Sequence, residues 1–152
     1  MISKPERFVI SAATAEGDHT LTAFDAALLK AGIGNVNLVR ISSILPPGCR
    51  EEKNGIEFPP GAFVPTAYGT ISSDKRGALI AAAIGIGFSK DSFGVIMEYA
   101  GFTSAEDARA RVEGMIKEAF VNRGQPLVDM LVKSVEHRVE NNGAAIAAVA
   151  LW

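Results

Sequence analysis

Apolar and polar positions divide the chain into short alternating runs broken by turn residues, with two longer stretches of helical period. Residues 7–13 are β-rich and read as a first strand, followed by a loop at Gly17-Asp18-His19. Leu21, Phe24, Leu28 and Ala31 then recur at the spacing of one helix face, with Thr20 placed to cap the helix and Gly32 to stop it in the left-handed conformation. Gly32-Ile33-Gly34 precedes a strand, so it reads as a tight turn and not as a dinucleotide fingerprint. Val36, Leu38, Val39 and Ile41 make the second strand, which stops where Pro46-Pro47 cannot continue a central one. Residues 48–61 are polar, acidic and rich in Pro and Gly, and predict a flexible surface excursion able to cover what lies beneath. Strand character resumes at 63–71, where Pro65 predicts an edge or a bulge. Residues 77–88 are two-sided: their alanines favour helix, but Gly85, Gly87 and the alternating isoleucines favour a buried strand, which is the reading adopted. A further apolar strand covers 94–101. Thr103-Ser104-Ala105-Glu106 then offers a capping box to the longest helix, whose apolar stripe is Ala105, Ala108, Val112, Met115, Ala119 and Phe120. Residues 131–140 and 144–152 read as two strands about an Asn141-Asn142-Gly143 turn, the last buried on both faces. Helices and strands mixed in this way predict a single α+β domain spanning 1–152.

Composition narrows the function classes. An apolar share of 48%, a charged share of 21% and a net charge of −2 describe a globular protein without a dominating field, which argues against a nucleic-acid partner. The single cysteine, Cys49, excludes an internal disulfide and a multi-cysteine metal site and suits a reducing compartment. His19 lacks the partners a metal site needs. The N-terminal residues have no apolar signal core, and the longest apolar runs carry too many glycines and flanking polar residues to span a bilayer. A cytoplasmic protein with no membrane partner is expected.

The chemistry centres on Arg40-Ile41-Ser42-Ser43-Ile44-Leu45-Pro46-Pro47-Gly48, where two hydroxyls meet the exit of a strand. Serines commonly do no more than end a strand and begin a turn. The chain has its own control in Ile71-Ser72-Ser73-Asp74, which lacks the following prolines and reads as an ordinary strand end. The sharper reading of the first pair is an N-to-O acyl shift. A serine hydroxyl attacks the preceding carbonyl, the resulting ester is lost by β-elimination, and the dehydroalanine left behind hydrolyses to a pyruvoyl group and ammonia. Such a step requires a backbone held off its relaxed geometry and an oxyanion donor. Glu98 places a lone carboxylate inside an apolar strand, where it is either salt-bridged to an arginine or kept protonated by desolvation as a proton donor.

Residues 16–18, 21–25 and 31–47 together resemble the pyruvoyl-dependent arginine decarboxylases, as do Val64-Pro65-Thr66-Ala67-Tyr68-Gly69, Ile96-Met97-Glu98-Tyr99, Val135-Glu136-His137 and the closing alanine-rich run to Trp152. These segments keep the family's order over nearly the whole chain. The resemblance implies a four-layer αββα sandwich, self-cleaved between Ser42 and Ser43 into a small β fragment (1–42) and a large α fragment (43–152). It implies that Ser43 becomes a covalent pyruvoyl group, that no external cofactor is needed, and that arginine is converted through a Schiff base to agmatine, a polyamine precursor. Glu98 matches the family's catalytic glutamate. Asp25 matches its substrate-side carboxylate, suited to the planar fork of a guanidinium, although by itself an aspartate beside Phe24 is usually solvated. Asn37 matches an asparagine associated with processing, and Ser42 remains as the new C-terminus bordering the pocket. Family members assemble as trimers, so a homotrimer of cleaved protomers or a dimer of trimers is implied, with sites between subunits.

Several alternatives stay open on the residues alone. In an ideal strand six residues separate Asn37 from Ser43 by roughly 20 Å, so direct contact needs a kinked chain or a neighbouring subunit; otherwise Asn37 satisfies a buried backbone group. A self-processed hydrolase would keep Ser43 as an N-terminal nucleophile with a free amine. An uncut trimeric binding module would keep the fold without the chemistry. Another basic amino acid would also be attracted by Asp25. His137 is assigned a hydrogen-bonded packing role.

Overall fold

A computed structural model describes residues 3–152. In chain order the elements are β1 (Arg7–Gly17), α1 (Thr20–Lys30), β2 (Asn37–Arg40), β3 (Ile44–Leu45), β4 (Arg50–Glu51), β5 (Phe63–Ser73), β6 (Leu79–Phe88), β7 (Gly94–Gly101), α2 (Ala105–Arg123), β8 (Asp129–Arg138) and β9 (Asn142–Leu151). They form a single α+β domain with two helices and two sheets, one ordered β2-β5-β9-β1-β4 and the other β3-β7-β6-β8. Neither helix is long and apolar enough to cross a membrane.

The sheets face each other across an apolar cluster that includes Phe8, Ile10, Ala67, Ile84, Ile86, Ile96 and Val149. Alternation explains its membership. Along β6 the isoleucines Ile80, Ile84 and Ile86 point between the sheets, while Ala81 and Ala83 face α2 with Val112, Ile116 and Phe120. Residues 77–88 are therefore a strand, as read, and a central one. Gly85 and Gly87 fall on the α2 face, where an added Cβ would lie 2.8 and 2.5 Å from Ile116.

Several sequence readings are corrected. The buried residues of α1 are Ala23 and Ala27, with Ala31 following at the C-cap, whereas Leu21 is 75% exposed. The alanines of α1 meet Ala13, Ala15, Ala144 and Ala148 of β1 and β9, and two faces of small residues pack more closely than a leucine stripe allows. Thr20 is the first helical residue and His19 the N-cap, with the Thr22 hydroxyl accepting from His19 N–H at 3.1 Å. The α2 cap also shifts by one residue: Ser104 Oγ accepts from Asp107 N–H at 3.1 Å, and Thr103 donates to the Asp107 carboxylate at 2.6 Å. Residues 48–61 do not hang free throughout, because β4 pairs in parallel with β1 at the sheet edge remote from β2. Pro65 sits in an internal strand. It is tolerated because the β5–β9 ladder begins only at Thr66, so its missing N–H interrupts no rung. Asn142 and Gly143 belong to β9 and not to the turn.

Candidate active site

The serine pair lies where the chain leaves one sheet for the other. Ile41 N–H donates to Thr66 O at 3.2 Å, the last rung on β5, and Ser43 O accepts from Ile96 N–H at 2.7 Å, the first rung on β7. Three extended residues reach about 10 Å, the usual face-to-face spacing of sheets, so the crossover has little slack. Burial alternates along it: Ile41, Ser43 and Leu45 are wholly or partly buried, Ser42 and Ile44 exposed. Ser43 thus falls on the inter-sheet side with Ile41 and Leu45, both of which pack on the central cluster. Pro46 and Pro47 follow β3 directly and end it after two residues. Ser72-Ser73, by contrast, closes β5, and Ser73 Oγ accepts from Lys75 N–H at 3.1 Å, an ordinary turn bond.

Glu98 sits opposite Ile84 on β7 and two residues beyond Ile96, hence on the same inter-sheet face as Ser43. Room for its side chain comes from Gly69 on the facing sheet, where an added Cβ would approach the Glu98 Cβ and Cγ to 3.3 Å. The side chain is half-buried, and burial pushes its carboxyl pKa up while the Arg40 charge pulls it partly back. Among the described residues no ion pair joins Glu98 to a cation. The arginine expected under the plain reading is present as a neighbour, Arg40, but its guanidinium is engaged elsewhere: it donates to Tyr68 O at 2.8 Å and lies 3.9 Å over the Tyr68 ring.

Two candidate residues stand apart from this cluster within one chain. Asn37 Nδ2 donates to Gly61 O at 3.0 Å, tying the start of β2 to the turn before β5. Asp25 is exposed on α1, which packs on the face of the five-stranded sheet away from Glu98. Exposed Leu21 and Leu29 lie one helical turn to either side of it. His137 Nε2 lies 2.7 Å from Glu16 Oε2, remote in sequence from the serine pair and consistent with a packing role. Arg40 and Gly69 escaped the sequence reading as individual residues; the only signal available was their place beside matched segments, since their contacts with Tyr68 and Glu98 are long-range.

Comparison with known proteins gives one consistent result. The family model described as pyruvoyl-dependent arginine decarboxylase matches residues 7–152. The chain belongs to the pyruvoyl-dependent arginine decarboxylase family. Curated relatives of that name include one from Methanocaldococcus jannaschii, 49% identical over 97% of this chain and 90% of its own. Another, from Thermococcus kodakarensis, is 45% identical over 95% and 93%. A third, from Pyrococcus abyssi, is 42% identical over 97% and 96%. Coverage this complete places the serine crossover, Glu98 and α1 all inside the matched region. The pyruvoyl-dependent decarboxylase family favours neither the self-processed hydrolase nor the uncut binding module.

Proposed function

We propose that the protein decarboxylates L-arginine to agmatine and carbon dioxide after cutting itself between Ser42 and Ser43 into fragments 1–42 and 43–152. The observation that carries this reading is the crossover itself, which leaves the Ser42-Ser43 peptide outside both ladders with Glu98 on the same inter-sheet face. In the cleavage, Ser43 Oγ bonds to the Ser42 carbonyl carbon, the C–N bond breaks and nitrogen takes the hydroxyl proton. Loss of the Ser43 α-proton expels Ser42 as a free carboxylate, and one water then replaces nitrogen at Cα as ammonia departs.

The residues present fit a pyruvoyl group at position 43, because Ile41, Leu45 and Ile96 on the same inter-sheet side belong to or pack on the apolar cluster and Ile96 N–H anchors the Ser43 carbonyl. Once formed, that group supplies an electrophilic carbonyl that holds the substrate α-amine and withdraws electrons from the breaking Cα–carboxyl bond. Glu98, whose carboxyl pKa burial pushes up, delivers the proton to Cα after carbon dioxide leaves. Asp25 accepts two N–H bonds from the guanidinium. Since α1 lies on the other side of a sheet from Glu98, the Asp25 that serves a given Ser43 comes from a neighbouring chain. The exposed apolar residues Leu21 and Leu29 around Asp25, and Val39 and Ile44 around the serine pair, suit burial in such a contact. Asn37 assists maturation from the neighbouring chain in the same way. The assembly is a homotrimer of cleaved protomers, each with its helices outside the two sheets in a four-layer αββα order, working in the cytoplasm.

Intact mass under denaturing conditions tests the reading. Two fragments parting after Ser42, the larger lacking its amino nitrogen, together with agmatine formed from arginine, are expected. Ser43→Ala is expected to stay uncut and inactive, and an active Ser43→Ala protein overturns the mechanism.

A further inference from the structure

The way β2 ends decides the geometry of the serine pair. In the parallel β2–β5 ladder Asn37 N–H donates to Ala62 O at 2.8 Å and Ile41 N–H to Thr66 O at 3.2 Å. The next rung in this series would run from Ser43 N–H to Tyr68 O. It is not made. Tyr68 O instead accepts from Arg40 Nη1 at 2.8 Å, and the Arg40 guanidinium carbon lies over the Tyr68 ring, 3.9 Å from its centroid. Released from β5, the chain turns to the other sheet, where Ser43 O accepts from Ile96 N–H at 2.7 Å.

We propose that Arg40 is the positioning residue for self-cleavage: its guanidinium occupies the Tyr68 carbonyl that Ser43 N–H would otherwise take, and so keeps the Ser42-Ser43 peptide out of the sheet. The proposal rests on the assignment of Ser42-Ser43 as the cleavage point. The acyl shift requires the Ser43 nitrogen to leave the Ser42 carbonyl carbon and accept a proton. An amide whose N–H is locked in a ladder rung is held planar and conjugated, so freeing that N–H lowers the cost of the step. Arginine suits the task because it reaches the next rung from the last strand residue and because its cation–π contact with Tyr68 restrains the guanidinium beside that carbonyl.

The test is the rate of precursor cleavage, followed by denaturing mass spectrometry on freshly translated protein, alongside the melting temperature. Arg40→Met keeps the bulk of the stem but no donor. Cleavage is expected to slow on the order of tenfold to a hundredfold, with the melting temperature unchanged or raised because β2 gains a rung. Arg40→Lys, which retains a donor of similar reach, is expected to restore cleavage to within severalfold of the native rate. A folded Arg40→Met protein that cuts at the native rate overturns the proposal. If Arg40→Met does not fold, Tyr68→Leu carries the test, since it keeps the carbonyl but removes the ring that orients the guanidinium: slowed cleavage supports the role of Arg40, and a native rate overturns it. Ser43→Ala is the control. If it stays uncut while Arg40→Met cuts normally, Arg40 alone is excluded; if Ser43→Ala is itself cut at this bond, the cleavage assignment falls and the proposal with it.

Discussion

Glu98 draws its chemistry from three neighbours that are far apart in sequence: Gly69 makes the space, the inter-sheet residues remove water, and Arg40 sets the charge nearby. A carboxylate inside the apolar run 94–101 was visible in the sequence, but neither Gly69 nor Arg40 lies within twenty-five residues of it, so its environment was not. Glu98→Gln is expected to self-cleave normally and to lose on the order of a hundredfold in kcat, measured as agmatine release; full activity would remove Glu98 as the proton donor. Because burial raises its pKa and the acid form is the donor, kcat is expected to fall as pH rises through that raised value. Stability follows the same sign. Glu98 contributes most below the ordinary glutamate range, and that contribution is lost as pH climbs through the raised pKa. A melting-temperature series in pH should therefore lose part of its slope in Glu98→Gln. Gly69→Ala presses on the Glu98 Cβ and Cγ, so it is expected to lower kcat more than it lowers the melting temperature.

At the scale of elements, periodicity identifies both helices, most of the face that each buries and the strandedness of residues 77–88, yet it does not find every innermost contact. In α1 Phe24, Leu28 and Ala31 of the stripe pack on the sheet, but Leu21 is exposed, and Ala23 and Ala27, outside the stripe, are the residues fully buried against the alanines beneath. In α2 the buried set also includes Ile116, outside the stripe, because Gly85 and Gly87 of β6 leave a groove that its side chain enters alongside Val112 and Phe120. What a helix packs against is written in another segment, so a single-segment pattern cannot supply it. The groove makes a prediction. Gly87→Ala would bring a Cβ to 2.5 Å from Ile116 and 2.7 Å from Phe120, and overpacking of this kind costs about 1–3 kcal/mol. Chemical denaturation should register it as a lower midpoint with an unchanged slope. Self-cleavage should persist, since the serine crossover touches β7 and not α2.

For the molecule as a whole, the two sheets are tied at one end by a hydrogen-bonded side-chain cluster as well as by their apolar faces. Glu16 at the end of β1 and His137 on β8 approach to 2.7 Å, and the other Glu16 oxygen accepts from Asn141 N–H at 2.6 Å and Glu140 N–H at 3.2 Å. Burial raises the Glu16 pKa, but the bonds from Asn141, His137 and Glu140 together outweigh it and leave the carboxyl below its usual range. In the cleaved protein proposed above, Glu16 belongs to the small fragment and the other three residues to the large one, so the tie joins the two pieces. A carboxyl with a lowered folded pKa adds stability above the ordinary glutamate range, and that stability is lost as pH falls through the lowered value. With the Glu16 side chain 25% exposed and partly screened, Glu16→Gln is expected to cost about 1 kcal/mol at neutral pH. The native and Glu16→Gln melting curves should then converge in acid. Gly143→Ala, whose Cβ would lie 2.7 Å from Glu16 Oε2 and 3.0 Å from His137, should reproduce the neutral-pH loss without substituting either partner. A gap between native and Glu16→Gln that stays constant down to strong acid would mean that packing, and not the carboxylate's charge, holds this end of the sheets together.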